Sequence, residues 1–422
     1  MRDNGEAIEG GWRLALRRVT ERIWSRLAAY ALAAVAVALA AGFAGRLVPD
    51  AAPADLGQGS VETLLQIVAT SMLAVTTFSL TAMISAYSSA ALIGTPRATQ
   101  LLVQDRTSQN ALSSFLGAFV FAIVGLAALS TGYYGEQGRV VLYAGTLVVI
   151  ALVVVTLLRW IQHLIDFGRM KDILDRVEDA ARDAGCANAR TPHLGGVAAV
   201  PVPPLAREVD ADRAGIVTAV HVDVLGRLAD QHGLRIHVRA RPGSAVARGE
   251  TLAAVEGDLP GEARAELREA FLIERHRTFE QDPRLGMVAL AEIGSRALSP
   301  STHDPGTAIE ALGAMQRVLT AALTTEPDGG TGHARVHVPA VPLAELLEDG
   351  LRPVARDGAG IVEVALRLQR VVAGLLPLAD GDGAGALRRA SSRAEERALA
   401  ALTDPHDRED VAAAARAARE AA

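Results

Sequence analysis

Side chains able to do acid–base or ligand chemistry are densest between residues 274 and 304, where Glu274, Arg275, His276, Arg277, Asp282, His303 and Asp304 fall. Carboxylates beside imidazoles can pass protons or hold a metal. The spacing argues first for a structural use. Asp282-Pro283 and Asp304-Pro305 each place a capping carboxylate before a proline suited to a first helical turn. The histidines show no strong metal-ligand spacing. The expectation is therefore an ion-pair and capping network of Arg275, Arg277, Asp282, His303 and Asp304, with no catalytic residue and no metal site. The catalytic or metal reading stands second.

A different chemistry is suggested by the hydroxyl-rich apolar run between Glu62 and Arg97. At a helical turn of about 100° per residue, Thr63, Gln66, Thr70, Ala74, Thr77, Thr81 and Ser88 share a stripe about 80° wide, with Ser85 at its margin. Repeated around an axis, such a face can line a hydrated path, and Gln66, Thr70, Thr77, Thr81 and Ser88 are the candidate lining residues. Small and hydroxyl residues are also the usual material of close helix packing in membranes, and that reading takes precedence. Gly117, Gly125 and Ala128 of the next apolar run allow similar close approach.

Other chemistry is excluded outright. Lys171 is the only lysine, so no later residue can form a Schiff base, carry biotin or lipoate, or complete a phosphate-binding loop. Cys186 is the only cysteine, which rules out intramolecular disulfides and cysteine-based zinc sites. No Gly-rich phosphate loop and no nucleophile elbow occurs. Nothing in these patterns calls for a cofactor. The net charge of −6 gives no reason to expect a nucleic-acid partner.

The elements that position these residues begin with four long apolar runs. A bilayer crossing takes roughly 20 mostly apolar residues. Uncharged stretches lie at Leu27–Gly45, between Glu62 and Arg97, between Arg106 and Glu136, and between Arg139 and Arg159. They predict four transmembrane helices, at about 27–48, 63–87, 110–132 and 140–161, within a domain spanning 27–161. Arginines crowd one set of flanks: Arg13, Arg17, Arg18, Arg22 and Arg26, then Arg97 and Arg106, then Arg159 and Arg169. The opposite flanks hold only Arg46 and Arg139, so both termini should be cytoplasmic. A cleaved signal peptide is the rival reading of the first run; its length and the 26-residue lead favour an uncleaved anchor. In that lead, Trp12, Leu16, Val19 and Ile23 recur at helical spacing. This predicts either an interfacial helix or one packed on the soluble part. Trp160 reads as an interfacial anchor. His163 and Asp166 just beyond it could form a gate or an ion site, but a solvated helix exit is the preferred reading. None of the four runs contains Asp, Glu, Lys, Arg or His, which weighs against proton-coupled transport.

The remainder predicts a soluble α+β region. Residues 162–205 should form a helix continuing from the fourth span (Gln162–Ala184) and then a Pro/Gly linker from Gly185 to Pro204. Residues 206–259 read as a small β subdomain. In one strand Ile216, Thr218, Val220, Val222 and Val224 share a face. In the next, Leu234, Ile236, Val238 and Ala240 alternate with Arg235, His237, Arg239 and Arg241. That polar set can bind an anionic group, but a solvated outer face is the preferred reading. The following Arg241-Pro242-Gly243 to Leu252 resembles the turn pattern of lipoyl-like or barrel-sandwich β domains, although the lysine that carries their prosthetic group is missing. Helices are expected at Glu262–Glu280, Pro283–Leu298, Pro305–Leu323, Leu343–Arg356 and Ile361–Leu375, with a strand at Ala334–Val338. These fill a domain at 260–381, and residues 382–422 form an Ala/Arg-rich helical tail, either an exposed hairpin or an oligomerisation element.

Several blocks, in order, resemble the bacterial predicted membrane proteins catalogued as domain of unknown function 2254. They are the hydroxyl-rich second span with Pro96-Arg97 and Asp105-Arg106, the Gln162-His163 exit, and Arg241-Pro242-Gly243. The most specific are Arg277-Thr278-Phe279-Glu280-Gln281-Asp282-Pro283-Arg284-Leu285-Gly286 and Arg296 through Ala308. Coverage runs from roughly residue 20 to 375. His303 stands where the family tends to have Asn, and one histidine follows the fourth span where it tends to have two. The resemblance implies a multi-span membrane protein with a soluble C-terminal domain and implies no activity.

Taken together, the expected protein is a non-enzymatic, multi-pass resident of the bacterial cytoplasmic membrane. Its partners should be the lipid bilayer and further copies of itself, as a homo-oligomeric channel-like pore with a cytoplasmic assembly or gating domain. The alternative is a membrane-anchored sensor or scaffold whose soluble domain binds a ligand or partner.

Overall fold

Apolar length divides the chain in two. In the computed structural model, which describes residues 23–44, 58–93, 95–103, 105–330 and 332–421, one unit takes Met1–Ile93 with Thr99–Asp172, and the other takes Gly94–Ala98 with Ile173–Ala422. The lead expected to carry Trp12, Leu16 and Val19 lies outside the described residues.

The first unit is built from α1 (Ile23–Ala44), α2 (Gln58–Ile93), α4 (Arg106–Ser130) and α5 (Glu136–Asp166), with the short α3 (Pro96–Val103) between α2 and α4. Three of these are long and apolar enough to cross a membrane, at Gly59–Ala90, Arg106–Ser130 and Glu136–Ile165, and α1 contributes a shorter apolar helix at Ala28–Phe43. The 36 residues of α2 extend about 54 Å at the helical rise, well past a hydrocarbon core of about 30 Å. The expected second span, 63–87, is thus the middle of a longer rod. Large side chains point both ways in this unit. Leu65, Phe115, Phe121 and Leu142 are fully buried, while Leu32, Phe78, Leu152 and Leu158 are at least 60% exposed. Apolar groups on the outside suit a hydrocarbon solvent. Gly125 sets helix spacing at the centre, because a Cβ there would lie 3.3 Å from the Leu65 Cδ1 of α2.

Three local expectations fail at the end of α5. The helix does not run on from Gln162 to Ala184. It stops at Phe167, and Gly168, at φ +77°, turns the chain into α6 (Met170–Arg190). Glycine takes this left-handed backbone without the Cβ penalty. The linker expected from Gly185 is helical to Arg190, since Ile173, Leu174, Val177, Ala181 and Ala184 keep one face buried. Trp160 is 1% exposed and packs inward, so it is not an interfacial anchor.

The second unit contains two small sheets. Strands β1 (Val197–Ala198), β2 (Arg207–Asp210), β4 (Arg235–Val238), β6 (Thr251–Glu256) and β8 (Val336–Val338) form one, in the order β1-β8-β4-β6-β2. Strands β5 (Ala245–Val246), β3 (Gly215–Val220) and β7 (Phe271–Glu274) form the other. The β region therefore draws strands from outside 206–259, and β4 pairs with β8 in parallel, Ile236 with Val336 and His237 with His337. Two helices interrupt it, α7 (Val222–His232) and α8 (Gly261–Glu269). Val222 and Val224 belong to α7, not to the preceding strand, because Val222, Leu225, Leu228 and Ala229 bury at helical spacing. The helix expected over Glu262–Glu280 divides likewise, into α8 and β7. Phe271 and Ile273 alternate into the core there and pair with β3.

Beyond the sheets come α9 (Pro283–Ala297), α10 (Pro305–Thr324), α11 (Leu343–Asp357), α12 (Val362–Leu375), α13 (Gly381–Ala401) and α14 (Pro405–Glu420). Helix α9 packs against α10 and α11, and α12 against α10. The tail is a packed hairpin and not an exposed one: α13 lies on α11 and α14 on α12, burying Leu387, Ala398 and Val411.

Candidate functional site

Helix α2 presents two faces. Val61, Leu65, Val68, Ala69, Met72, Ser79, Met83 and Ala90 are buried. Gln66, Thr70, Ala74, Thr77, Thr81, Ser85 and Ser88 are exposed, so among the described residues no helix of this chain covers the stripe. Four of the stripe's hydroxyls are satisfied by their own helix. Thr70, Thr77, Thr81 and Ser88 donate to the carbonyls of Gln66, Leu73, Thr77 and Ile84 at 2.9, 2.9, 3.0 and 2.9 Å. The amide of Gln66 reaches Glu62 Oε1 at 3.5 Å. With its donor committed, a threonine can face hydrocarbon at modest cost while its remaining lone pair stays available to water or a neighbour.

At one end of the same unit, two sequence blocks meet. Asp105 caps α4, its Oδ2 accepting from Ser108 N at 2.7 Å, and the same oxygen lies 2.8 Å from His163 Nε2 of α5. Burial pushes the Asp105 carboxyl up, but the bonds from His163 and Ser108 outweigh it and hold it well below the ordinary range. The rings of Trp160, His163 and Phe167 follow one another at 5.8 and 5.2 Å, and Tyr87 meets Phe167 edge-on at 5.5 Å. His163 is thus a half-buried tie between helices, where a solvated exit was expected. Sequence spacing alone hid this pair, whose members stand 58 residues apart.

In the second unit, the buried Asp282 is the hub of a partly buried network. Its Oδ2 accepts from Arg277 Nε at 2.6 Å and its Oδ1 from Arg277 Nη2 at 2.9 Å, while Oδ1 also caps α9 through Arg284 N at 3.1 Å. The Asp282 side chain is 1% exposed. Arg284 then grips Asp349 at 2.6 and 3.2 Å and Glu345 at 2.7 Å, and Glu345 also takes a two-pronged contact from Arg241 at 2.9 and 3.0 Å. Gly243, at φ +86°, closes the turn against Asp282, whose Oδ2 would lie 2.5 Å from any added Cβ. The Arg-Pro-Gly turn and the Asp-Pro cap are one structure. Arg284, Glu345 and Asp349 belong to it and were not expected as members of a polar network; Arg241, expected on a solvated strand face, joins them.

The other expected members stand apart. Arg275 and His276 are exposed. His303 sits at φ +46°, and Asp304 caps α10 by accepting from Thr307 N at 3.1 Å and Thr307 Oγ1 at 2.6 Å. The bonds from Thr307 hold the Asp304 carboxyl below its usual range. Among the described residues no three His, Cys, Asp or Glu side chains gather as a metal site.

The polar face of β4 is a further correction. His237 is 2% exposed rather than solvated. Its ring stacks on His337 of β8 at 4.9 Å, and its Nε2 lies 2.7 Å from Glu256 Oε1. His237 first, and then Arg235, hold the Glu256 carboxyl below its usual range.

The family described as Predicted membrane protein (DUF2254) matches residues 20–374. Uncharacterized proteins of Mycobacterium bovis and Mycobacterium tuberculosis are each 27% identical over 240 residues, covering 53% of this chain. The match spans 45% of the length of those relatives. No solved structure matches the chain.

Proposed function

Because the chain belongs to the DUF2254 family of predicted membrane proteins, we propose that it self-associates in the membrane through the outward face of α2 to form a channel-like pore. The second unit is its assembly or gating collar, on the cytoplasmic side with both termini. The observation that carries this reading is the uncovered row of Gln66, Thr70, Thr77, Thr81 and Ser88 on an otherwise apolar surface. Helices in lipid associate through small and hydroxyl residues, and several copies around an axis would turn such a row toward water. The orientation rests on the arginine-rich flanks and on Arg97, which bonds Glu292 within the second unit. The connection between α2 and α4 would then share a side with the C-terminal region, as two crossings through α4 and α5 require.

No enzymatic role is assigned. The carboxylates Asp282, Asp304 and Glu345 are each engaged as caps or ion-pair partners. Purified full-length protein in mild detergent should run as a defined oligomer and carry ion flux in liposomes. A monomer without flux removes the pore. A membrane-anchored sensor is the second reading, favoured by an open groove of about 660 Å³ where Gly243, Ser244 and Thr251 face Arg239 and Arg284.

A further inference from the structure

Helices α1, α4 and α5 of the first unit enclose a cavity of about 390 Å³, with Val37 and Leu152 exposed at its mouth. Each helix gives it four residues at i, i+3, i+4 and i+7. That is one face over two turns, so the cavity runs along the helices for about 10 Å. The stripes end at Tyr30 and Val37 on α1, at Ser114 and Phe121 on α4, and at Thr156 and Val149 on α5. Gly117 lets α1 come close to α4, since a Cβ there would already lie 3.5 Å from the Tyr30 carbonyl oxygen.

Two contacts set the register of these ends. Asp105 meets His163 at one end of the unit, and Tyr134 donates to the Ala38 carbonyl at 2.6 Å at the other. Tyr30, Ser114 and Thr156 therefore all lie toward the Asp105–His163 end, and Val37, Phe121 and Val149 toward the Tyr134 end. The cavity is polar at one end only, and no charged side chain lines it.

The three hydroxyls differ in what they have left to offer. Ser114 donates to the Asn110 carbonyl at 2.9 Å and keeps its lone pairs. Thr156 does not turn back on its helix as Thr146 does onto the Leu142 carbonyl at 2.7 Å. Among the described residues, neither Thr156 nor Tyr30 has a hydrogen-bond partner. The polar end thus holds two free donors and a further acceptor. An alcohol oxygen is their complement, with two lone pairs and one hydrogen. Thr156 stands three residues before Arg159 and Ser114 eight after Arg106, about 5 and 12 Å inside those charged flanks along the helices. A carboxylate, phosphate or ammonium head at that depth would lose its hydration and meet no counter-charge, which is costly. A bare hydrocarbon would leave the hydroxyls unpaired in lipid.

We propose that this cavity binds a lipid alcohol, with its hydroxyl held by Tyr30, Ser114 and Thr156 and its chain lying along Gly117, Phe121 and Val149. The volume falls in the small-molecule range of about 300–1,000 Å³. The site uses no residue of α2, so it stands or falls apart from the pore reading.

The test uses full-length protein in phosphatidylcholine nanodiscs, a photoreactive diazirine derivative of hexadecanol, and peptide mapping by mass spectrometry. Labelling of the exposed face of α2 reports probe dissolved in the bilayer and serves as the reference. The expected result is labelling of α1, α4 and α5 peptides well above that reference, removed by excess hexadecanol but not by methyl palmitate or palmitate. Removal by dioleoylglycerol or by farnesol supports the proposal equally and tells a glyceride source from an isoprenoid one. Tyr30→Phe combined with Thr156→Val takes away both free donors and keeps the shape. It should lower the labelling about tenfold, as expected for two neutral hydrogen bonds, whereas Thr156→Ser should label like the parent. Ala33→Leu, which fills the cavity from α1 and touches no hydroxyl, should lose the labelling too, and it decides alone if the double variant does not fold. The proposal is overturned by labelling no higher than on α2, by equal competition from methyl palmitate, or by a double variant or Ala33→Leu protein that labels like the parent. Cross-linking of the cavity's helices to a second copy would make the face a protein contact and overturn it as well.

Discussion

Polar side chains on the outer face of α2 turn back onto their own helix, whereas the network around Asp282 and Arg284 in the second unit ties one element to another. Thr70, Thr77, Thr81 and Ser88 each donate four residues back along the same helix. Asp282, by contrast, joins the chain before α9 to Arg277, and Arg284 joins α9 to α11. Removing a locally satisfied hydroxyl leaves nothing orphaned. Removing one member of a cross-element network leaves a buried charge without its partner, and that penalty exceeds what the intact bond contributes. The first arrangement keeps a face free for association, and the second fixes a fold. Polar density by itself therefore says little about where function lies.

Substitutions can break that contrast. The largest effect is expected for Asp282→Ala, which removes the α9 cap and strands Arg277. It should cost about 3–5 kcal/mol, read as thermal or denaturant unfolding of the full chain. Gly243→Ala follows. A Cβ at φ +86° would also press on the Asp282 carboxylate, and the expected loss is about 1–3 kcal/mol. A Gly243→Ala protein as stable as the parent would show that the turn and the cap are not one structure. In the membrane unit, His163→Ala removes the tie to Asp105 but leaves the Ser108 cap, so about 1–2 kcal/mol is expected. Thr77→Val and Thr81→Val should shift stability by less than about 0.5 kcal/mol while changing oligomer distribution or flux. A destabilisation as large as that of Asp282→Ala would mean that the stripe is packed within the chain.

The smallest effect concerns pH. The Glu256 carboxyl is depressed in the folded protein, so its contribution is present above the unfolded value of 4.5 and is lost as pH falls through the lower folded value. Glu256→Gln should therefore be less stable than the parent at neutral pH, and the gap should close in acid. A gap that stays constant down to pH 3 (about the foot of a carboxylate titration) would assign the contribution to packing.

Apolar length and Asp-Pro caps were legible in the sequence because both act within a few residues. The three long apolar helices and the starts of α9 and α10 fall where those signals place them. Breaks decided by distant partners were not legible. Gly168 turns the chain beside Ala86, and Phe271 leaves a helical pattern to pair with Val220. At the candidate sites the same division holds. The Asp282 and Asp304 caps were readable from their prolines. The Asp105–His163 pair, the burial of His237 and the Arg241–Glu345 contact depend on chain segments far apart. Whether the α2 stripe is covered depended on the placement of the other helices, which no periodicity encodes.

Disulfide cross-linking in native membranes tests the central claim most directly, using Thr77→Cys in a full-length Cys186→Ser background. If the α2 face meets another copy, oxidation should give a covalent dimer at Thr77→Cys and at Thr70→Cys, and none at the lipid-facing Leu152→Cys of α5. Monomer at both α2 positions, with or without a dimer at residue 152, would contradict it.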